Sequence, residues 1–104
     1  MAKYKVKGYS HVIKDNGKGY DNLYLSLELL NSSGNPANRD YRIFSDTRWP
    51  DLKVLTDTIV EGLSLAKANS ANIELSDYQE RKYLFLVLPD DNGKINMQVS
   101  AEKI

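Results

Sequence analysis

A mainly β fold with one helix is what this sequence predicts, and three observations carry it. Apolar and polar residues alternate with period two over residues 3–14, 22–30 and 95–101, the mark of half-buried strands. The period changes once, over residues 50–67, where Leu52, Leu55, Ile59, Leu63 and Ala66 recur at three- and four-residue spacing. Between these runs lie short clusters of Gly, Asn, Asp, Ser and Pro, with no repeat and no internal linker. The 104 residues fit one domain with one core.

The first run, KYKVKGYSHVIK, places Lys3, Lys5, Lys7, Tyr9, His11 and Ile13 at odd positions, and Tyr4, Val6, Gly8 and Val12 at even ones. It predicts a strand in which Gly8 marks a bulge or sharp bend. Asp15-Asn16-Gly17-Lys18-Gly19 is a turn by composition, since Asn and Gly tolerate positive φ. In the second strand, Leu23, Leu25, Leu27 and Leu29 point one way, and Tyr24, Ser26 and Glu28 the other. Residues 31–36 form a loop. Residues 38–45 form a third strand, with Arg39 and Tyr41 on one face and Arg42 and Phe44 on the other. Pro50 suits the first turn of a helix, and Asp51 suits its positive start. Gly62 weakens that helix slightly, and Asn69-Ser70 stops it. Ala71–Leu75 reads as a weak strand, and Tyr83–Leu88 as a strong central one, apolar on both faces. Asn92-Gly93 signals a hairpin. In the closing strand Ile95, Met97, Val99 and Ala101 alternate with Asn96, Gln98 and Ser100.

Three strands, one helix, then two or three strands is the element order of an OB-fold barrel. The expectation is a single OB-like domain over residues 1–104: a five-stranded antiparallel barrel with the helix between strands 3 and 4. An open α+β sheet with one helix on its face has the same element order, because order does not decide closure.

Fourteen Lys and Arg balance fourteen Asp and Glu, which excludes a uniformly basic, histone-like binder and an acidic tail protein. There is no cysteine, so disulfide frameworks, thiolate metal sites and Cys nucleophiles are excluded. No apolar stretch follows the basic start as in a signal peptide, and the longest apolar run, YLFLVLP at 83–89, is too short to span a bilayer. A cytoplasmic protein without membrane contact is expected. The charge is nevertheless uneven: residues 1–20 carry a net +4, and residues 61–80 a net −3.

The basic first strand is where the aromatics begin. Lys3, Lys5 and Lys7 line one strand face and continue into Tyr9 and His11; Tyr24 joins from strand two, Arg42 and Phe44 from strand three, and Arg48 and Trp49 from its exit. Lysines that track phosphates beside aromatics that offer flat faces are how single-stranded nucleic acid is held. Each group also has a plainer role. Strand lysines block edge pairing, tyrosine favours strands, and Trp49 beside Pro50 suits a plug at the barrel end beneath the helix.

Catalytic constellations are missing. His11 is the only histidine, which excludes a His-rich metal site and leaves one candidate base, in a strand where its neighbour Ser10 points the other way. Asp90-Asp91 and Asp15-Asn16-Gly17 are good turn sequences, and the latter lacks the twelfth-position Glu of a calcium loop. Gly17-Lys18-Gly19 lacks the P-loop pattern. No cofactor, metal or small-molecule substrate is implied.

The chain resembles small OB-fold single-stranded DNA-binding proteins of the phage or plasmid kind. NLYLSLELLNSSG is similar to the family's second strand and projecting loop, DYRIFSDTRWP to its third strand leading into the helix, and NMQVSAEKI to its closing strand. The resemblance implies protection or coating of single-stranded DNA in replication, recombination or transfer. Two features depart from it. NSANIELSDYQERKY stands where bacterial members are glycine-rich, and no acidic C-terminal tail follows the last strand, which implies DNA binding without that recruitment device. The other reading is a small protein-interaction module, such as a phage inhibitor or an assembly adaptor, favoured by the neutral net charge and the acidic 61–80 segment. Either reading admits a homodimer.

Overall fold

Alternation becomes six strands and one helix in the computed structural model, which describes residues 2–78 and 82–104. Among these residues the order is β1 (Ala2–Asp15), β2 (Asp21–Leu30), β3 (Arg39–Phe44), α1 (Leu52–Ala68), β4 (Asn72–Tyr78), β5 (Tyr83–Asp90) and β6 (Gly93–Lys103). Gln79, Glu80 and Arg81, within the segment NSANIELSDYQERKY, lie outside the described residues.

The strands hydrogen-bond in the order β1-β2-β3-β6-β5-β4, and β1 pairs with β4 to close the ring. Every neighbouring pair is antiparallel. Strand direction then alternates around the ring, which requires an even number of strands. The five strands expected are therefore six: the weak run after the helix is a full strand, β4, held between β1 and β5. The open-sheet alternative is corrected by the same pairing. The helix stands between β3 and β4, as expected.

Closure depends on β1 serving two neighbours. Residues 2–5 pair with β4, and residues 5–15 pair with β2. The strand turns from one to the other at a bulge between Val6 and Gly8, which leaves Lys7 as the extra residue.

Alternate residues of each strand fill the interior: Leu23, Leu25, Leu27 and Leu29 from β2, Tyr41 and Ile43 from β3, and Leu84, Leu86 and Leu88 from β5 are all at most 2% exposed. Each such side chain contributes roughly 1.5–3 kcal/mol relative to exposure. Tyr41 is accommodated because its hydroxyl donates to Asp77 Oδ2 at 3.3 Å. Burial, and then the Asp77 charge, push that hydroxyl well above the ordinary tyrosine pKa.

Helix α1 covers the interior with Leu55, Ile59, Leu63 and Ala66, all buried. Asp51 is its N-cap: in an extended conformation it accepts from the Lys53 and Val54 amides at 2.9 and 3.2 Å. Pro50 therefore precedes the cap instead of occupying the first turn. Gly62 is a contact point and not only a weak link. A Cβ there would sit 2.7 Å from Leu88 Cβ, so its absence lets the helix press against β5.

Candidate nucleic-acid interface

The inward-facing leucines of β2 turn Tyr24 outward, and the buried Tyr41 and Ile43 turn Arg42 and Phe44 outward on β3. Register then lines these residues up. Tyr24 lies opposite Arg42, and Arg42 lies opposite Glu102 of β6. One step along, Phe44 lies opposite Ser100, which in turn lies opposite Tyr83 of β5.

Three cation–aromatic pairs occupy this outer surface. The Lys14 ammonium stands 4.5 Å from the Tyr24 ring centre, the Arg42 guanidinium 5.5 Å from Phe44, and the Arg48 guanidinium 5.0 Å from Tyr83. Each such contact is worth roughly 0.5–1 kcal/mol at an exposed site. Together they form a band across β1, β2, β3, β6 and β5, with rings that are half-buried and so held in place.

Carboxylates organise the cations. Glu102 accepts a hydrogen bond from Arg42 Nη2 and an ion pair from Lys82 at 3.0 Å. Lys82 and then Arg42 hold the Glu102 carboxyl below its ordinary range, and Glu102, followed by the Tyr24 hydroxyl, pushes Arg42 up. Asp46 builds the turn after β3. Its Oδ1 accepts from the Arg48 and Trp49 amides at 2.8 and 2.9 Å, while Oδ2 takes the Ser100 hydroxyl at 2.7 Å and Arg48 Nη2 at 2.8 Å. Burial opposes the charge of Asp46, but the bonds from Ser100, Trp49 and Arg48 outweigh it and hold the carboxyl low. Arg42 and Lys82 pair with Glu102 and Arg48 with Asp46, and Lys14 over Tyr24 adds a fourth cation to the band against these two carboxylates.

The candidate residues of the sequence divide into groups. Tyr24, Arg42, Phe44 and Arg48 belong to the band. Trp49 is half-buried and packs against the core, in keeping with a plug. The single stripe from Lys3 to His11 is corrected. Lys3 and Lys5 are exposed on the outer side at the β1·β4 seam, where Lys3 faces Glu74 and Lys5 Nζ bonds the Ser70 carbonyl. Lys7 is the bulge residue, and beyond it the pleat changes phase by one. Tyr9 and His11 therefore lie opposite buried Leu27 and Leu25, on the inner side. Tyr9 packs against the core, and His11 is exposed where β1 runs past β4.

The band also holds Lys14, Lys82 and Tyr83, which sequence reasoning misses. Tyr83 is signalled by its alternation with Leu84, Leu86 and Leu88, and Lys14 by the phase after the bulge. Nothing local marks Lys82, whose φ is +54°.

The turn sequences behave as turns. Asp15 Oδ1 accepts from the Gly17 amide at 2.6 Å, and Asp90 Oδ1 from the Asn92 amide at 2.9 Å. Gly17 and Gly19 take φ of +87° and +85°, which lets the β1–β2 turn close with Asn16 N on Tyr20 O at 2.9 Å and set Tyr20 in the open. Among the described residues, no helix is long and apolar enough to cross a membrane.

No family model matches the chain, and neither a curated protein nor a solved structure matches it.

Proposed function

We propose that this chain is a non-enzymatic single-stranded-DNA-binding protein that coats or protects DNA in replication, recombination or transfer of a phage or plasmid. The observation that carries this reading is the band of three cation–aromatic pairs on one outer surface. Aromatic rings and guanidinium planes stack on bases whatever their identity, and the cations neutralise phosphates. In the same reading the ring is an OB-type barrel with one added strand, supported by the helix between β3 and β4 and by a long, bulged β1 shared between two neighbours.

The test is a titration with a dT oligonucleotide, followed by Tyr and Trp fluorescence at low and high salt. Wild-type protein binds with steep salt dependence, and Tyr24→Ala and Phe44→Ala each weaken binding by the ~1–3 kcal/mol of a stacked base, about 5- to 150-fold. Full affinity in both variants removes the band from the reading, and no binding at low salt removes the reading itself.

A second reading, a protein-interaction module, is favoured by one observation. Among the described residues, β1 from Gly8 to Asp15 pairs only with β2, so no strand takes the ladder hydrogen bonds of its other edge, which suit an extended segment or a second copy. Tight binding to a protein, with no affinity for any oligonucleotide, would select it.

A further inference from the structure

Beyond Tyr83 the outer surface continues along β5. Leu84, Leu86 and Leu88 point inward, so the pleat turns Tyr83, Phe85, Val87 and Pro89 outward as one half-buried row. Register names its neighbours. On β6, Ser100, Gln98, Asn96 and Lys94 lie opposite these four residues, and on β4, Ser76 and Glu74 lie opposite Phe85 and Val87. An open groove of about 360 Å³ follows the middle of the row, bordered by Phe85, Val87, Asn96 and Gln98, none of them charged. A second, of about 350 Å³, adjoins it at Val87 and is bordered by Pro89, Glu74, Lys3 and Lys94.

Cations stand at both ends of the row. Arg48 and Lys82 lie at the Tyr83 end. Lys3 and Lys94 lie at the Pro89 end, both exposed, and among the described residues neither forms an ion pair. Glu74, which faces Lys3 across the β1·β4 seam, is the one carboxylate whose register sets it directly opposite the row among the described residues.

We infer that this row is a second segment of the nucleic-acid path. A single strand stacked on the band turns at Tyr83, follows β5 over Phe85 for roughly 20 Å at ~3.3 Å per residue, and sets its far phosphates against Lys3 and Lys94. The inference rests on the single-stranded-DNA reading and extends its site. Two observations choose this occupant. Tyr83 belongs to both band and row, so the two surfaces are continuous. An aromatic and apolar row with cations at its ends matches a polyanion whose bases present flat faces.

The experiment measures binding of dT oligonucleotides of about 5 and about 15 nucleotides, within the ~4–16-nucleotide reach of one such domain, over a range of salt. The short one is held by the band alone. With the long one, Lys3→Gln and Lys94→Gln each reduce the slope of log affinity on log salt by about 0.7, the share of one phosphate, and Phe85→Ala weakens binding about 5- to 150-fold. None of the three changes binding of the short one. Lys67→Gln, an equal charge loss on the exposed face of α1, changes neither. Lys3 and Lys94 are exposed, so their variants decide the matter if Phe85→Ala does not fold. Long-oligonucleotide slopes that stay at the wild-type value in both lysine variants, or that fall equally in Lys67→Gln, overturn the second segment and leave the DNA-binding reading standing. No binding of either oligonucleotide by the wild type at low salt overturns both.

Discussion

Replacing Gly62 with alanine sets two effects of opposite sign against each other. In a helix interior Ala is favoured over Gly by ~1 kcal/mol, so propensity alone makes the variant more stable. The contact opposes it. The added Cβ would lie 2.7 Å from Leu88 Cβ, 2.9 Å from Leu88 Cδ1 and 3.3 Å from Leu88 Cγ. The nearest of these is anchored to the backbone of β5, and Leu88 is fully buried, so neither a rotamer change nor solvent relieves the overlap. Helix and strand must move apart, at the ~1–3 kcal/mol typical of an overpacked core. The net expectation is a loss of ~1 kcal/mol, which lowers Tm by about 4–8 °C in a domain of this size. Thermal unfolding followed by circular dichroism measures it, with Ser64→Ala on the exposed helix face as a control that gains a few tenths of a kcal/mol, within ~0.5. A Gly62→Ala variant that melts about 4–8 °C above the wild type would refute the reasoning, because α1 would then not be pressed against β5 at Leu88.

Two further outcomes follow from the charges. Glu102→Gln releases Lys82 and Arg42 from their shared carboxylate, so oligonucleotide affinity rises and the slope of log affinity on log salt steepens by about 0.7 for each additional phosphate neutralised; unchanged or weaker binding places the phosphates elsewhere. Acid destabilises the chain. Asp46 and Glu102 both have depressed pKa values in the fold, so their contribution is present at neutral pH and is lost as pH falls through and below the ordinary carboxylate values of 3.8 and 4.5. The urea midpoint is expected to fall below about pH 4 in the wild type and less steeply in a Glu102→Gln, Asp46→Asn double variant, and equal slopes would exclude these two groups as its source.

Much of the architecture is readable because pleat and helix periods are local. The leucine alternation of β2 places Tyr24 outside before any partner strand is known, and the apolar choice between the two faces of β3 turns Arg42 and Phe44 outward. The stripe at Leu55, Ile59 and Leu63 likewise finds the helix and its buried face. Strand β4 is legible only as a weak run, because NIELSDY owes its place to partners at both ends of the chain, Ala2–Lys5 and Tyr83–Val87. The position of Gly8 warns of a bulge, but one extra residue at Lys7 also moves Tyr9 and His11 to the other side, and that follows only from the register with β2.

By itself, then, the amino-acid order determined where the helix and the strongly alternating strands run, and which side chains β2, β6 and α1 bury, since those follow from spacing along a single segment. The tertiary structure alone decided that the strands close as six, that the lysine stripe is broken at Lys7, and that Arg48 meets Tyr83. Closure, register and partner choice depend on hydrogen bonds between segments distant in sequence. A one-residue shift in any of them changes which side chains share a surface, without changing the local pattern from which each strand is read.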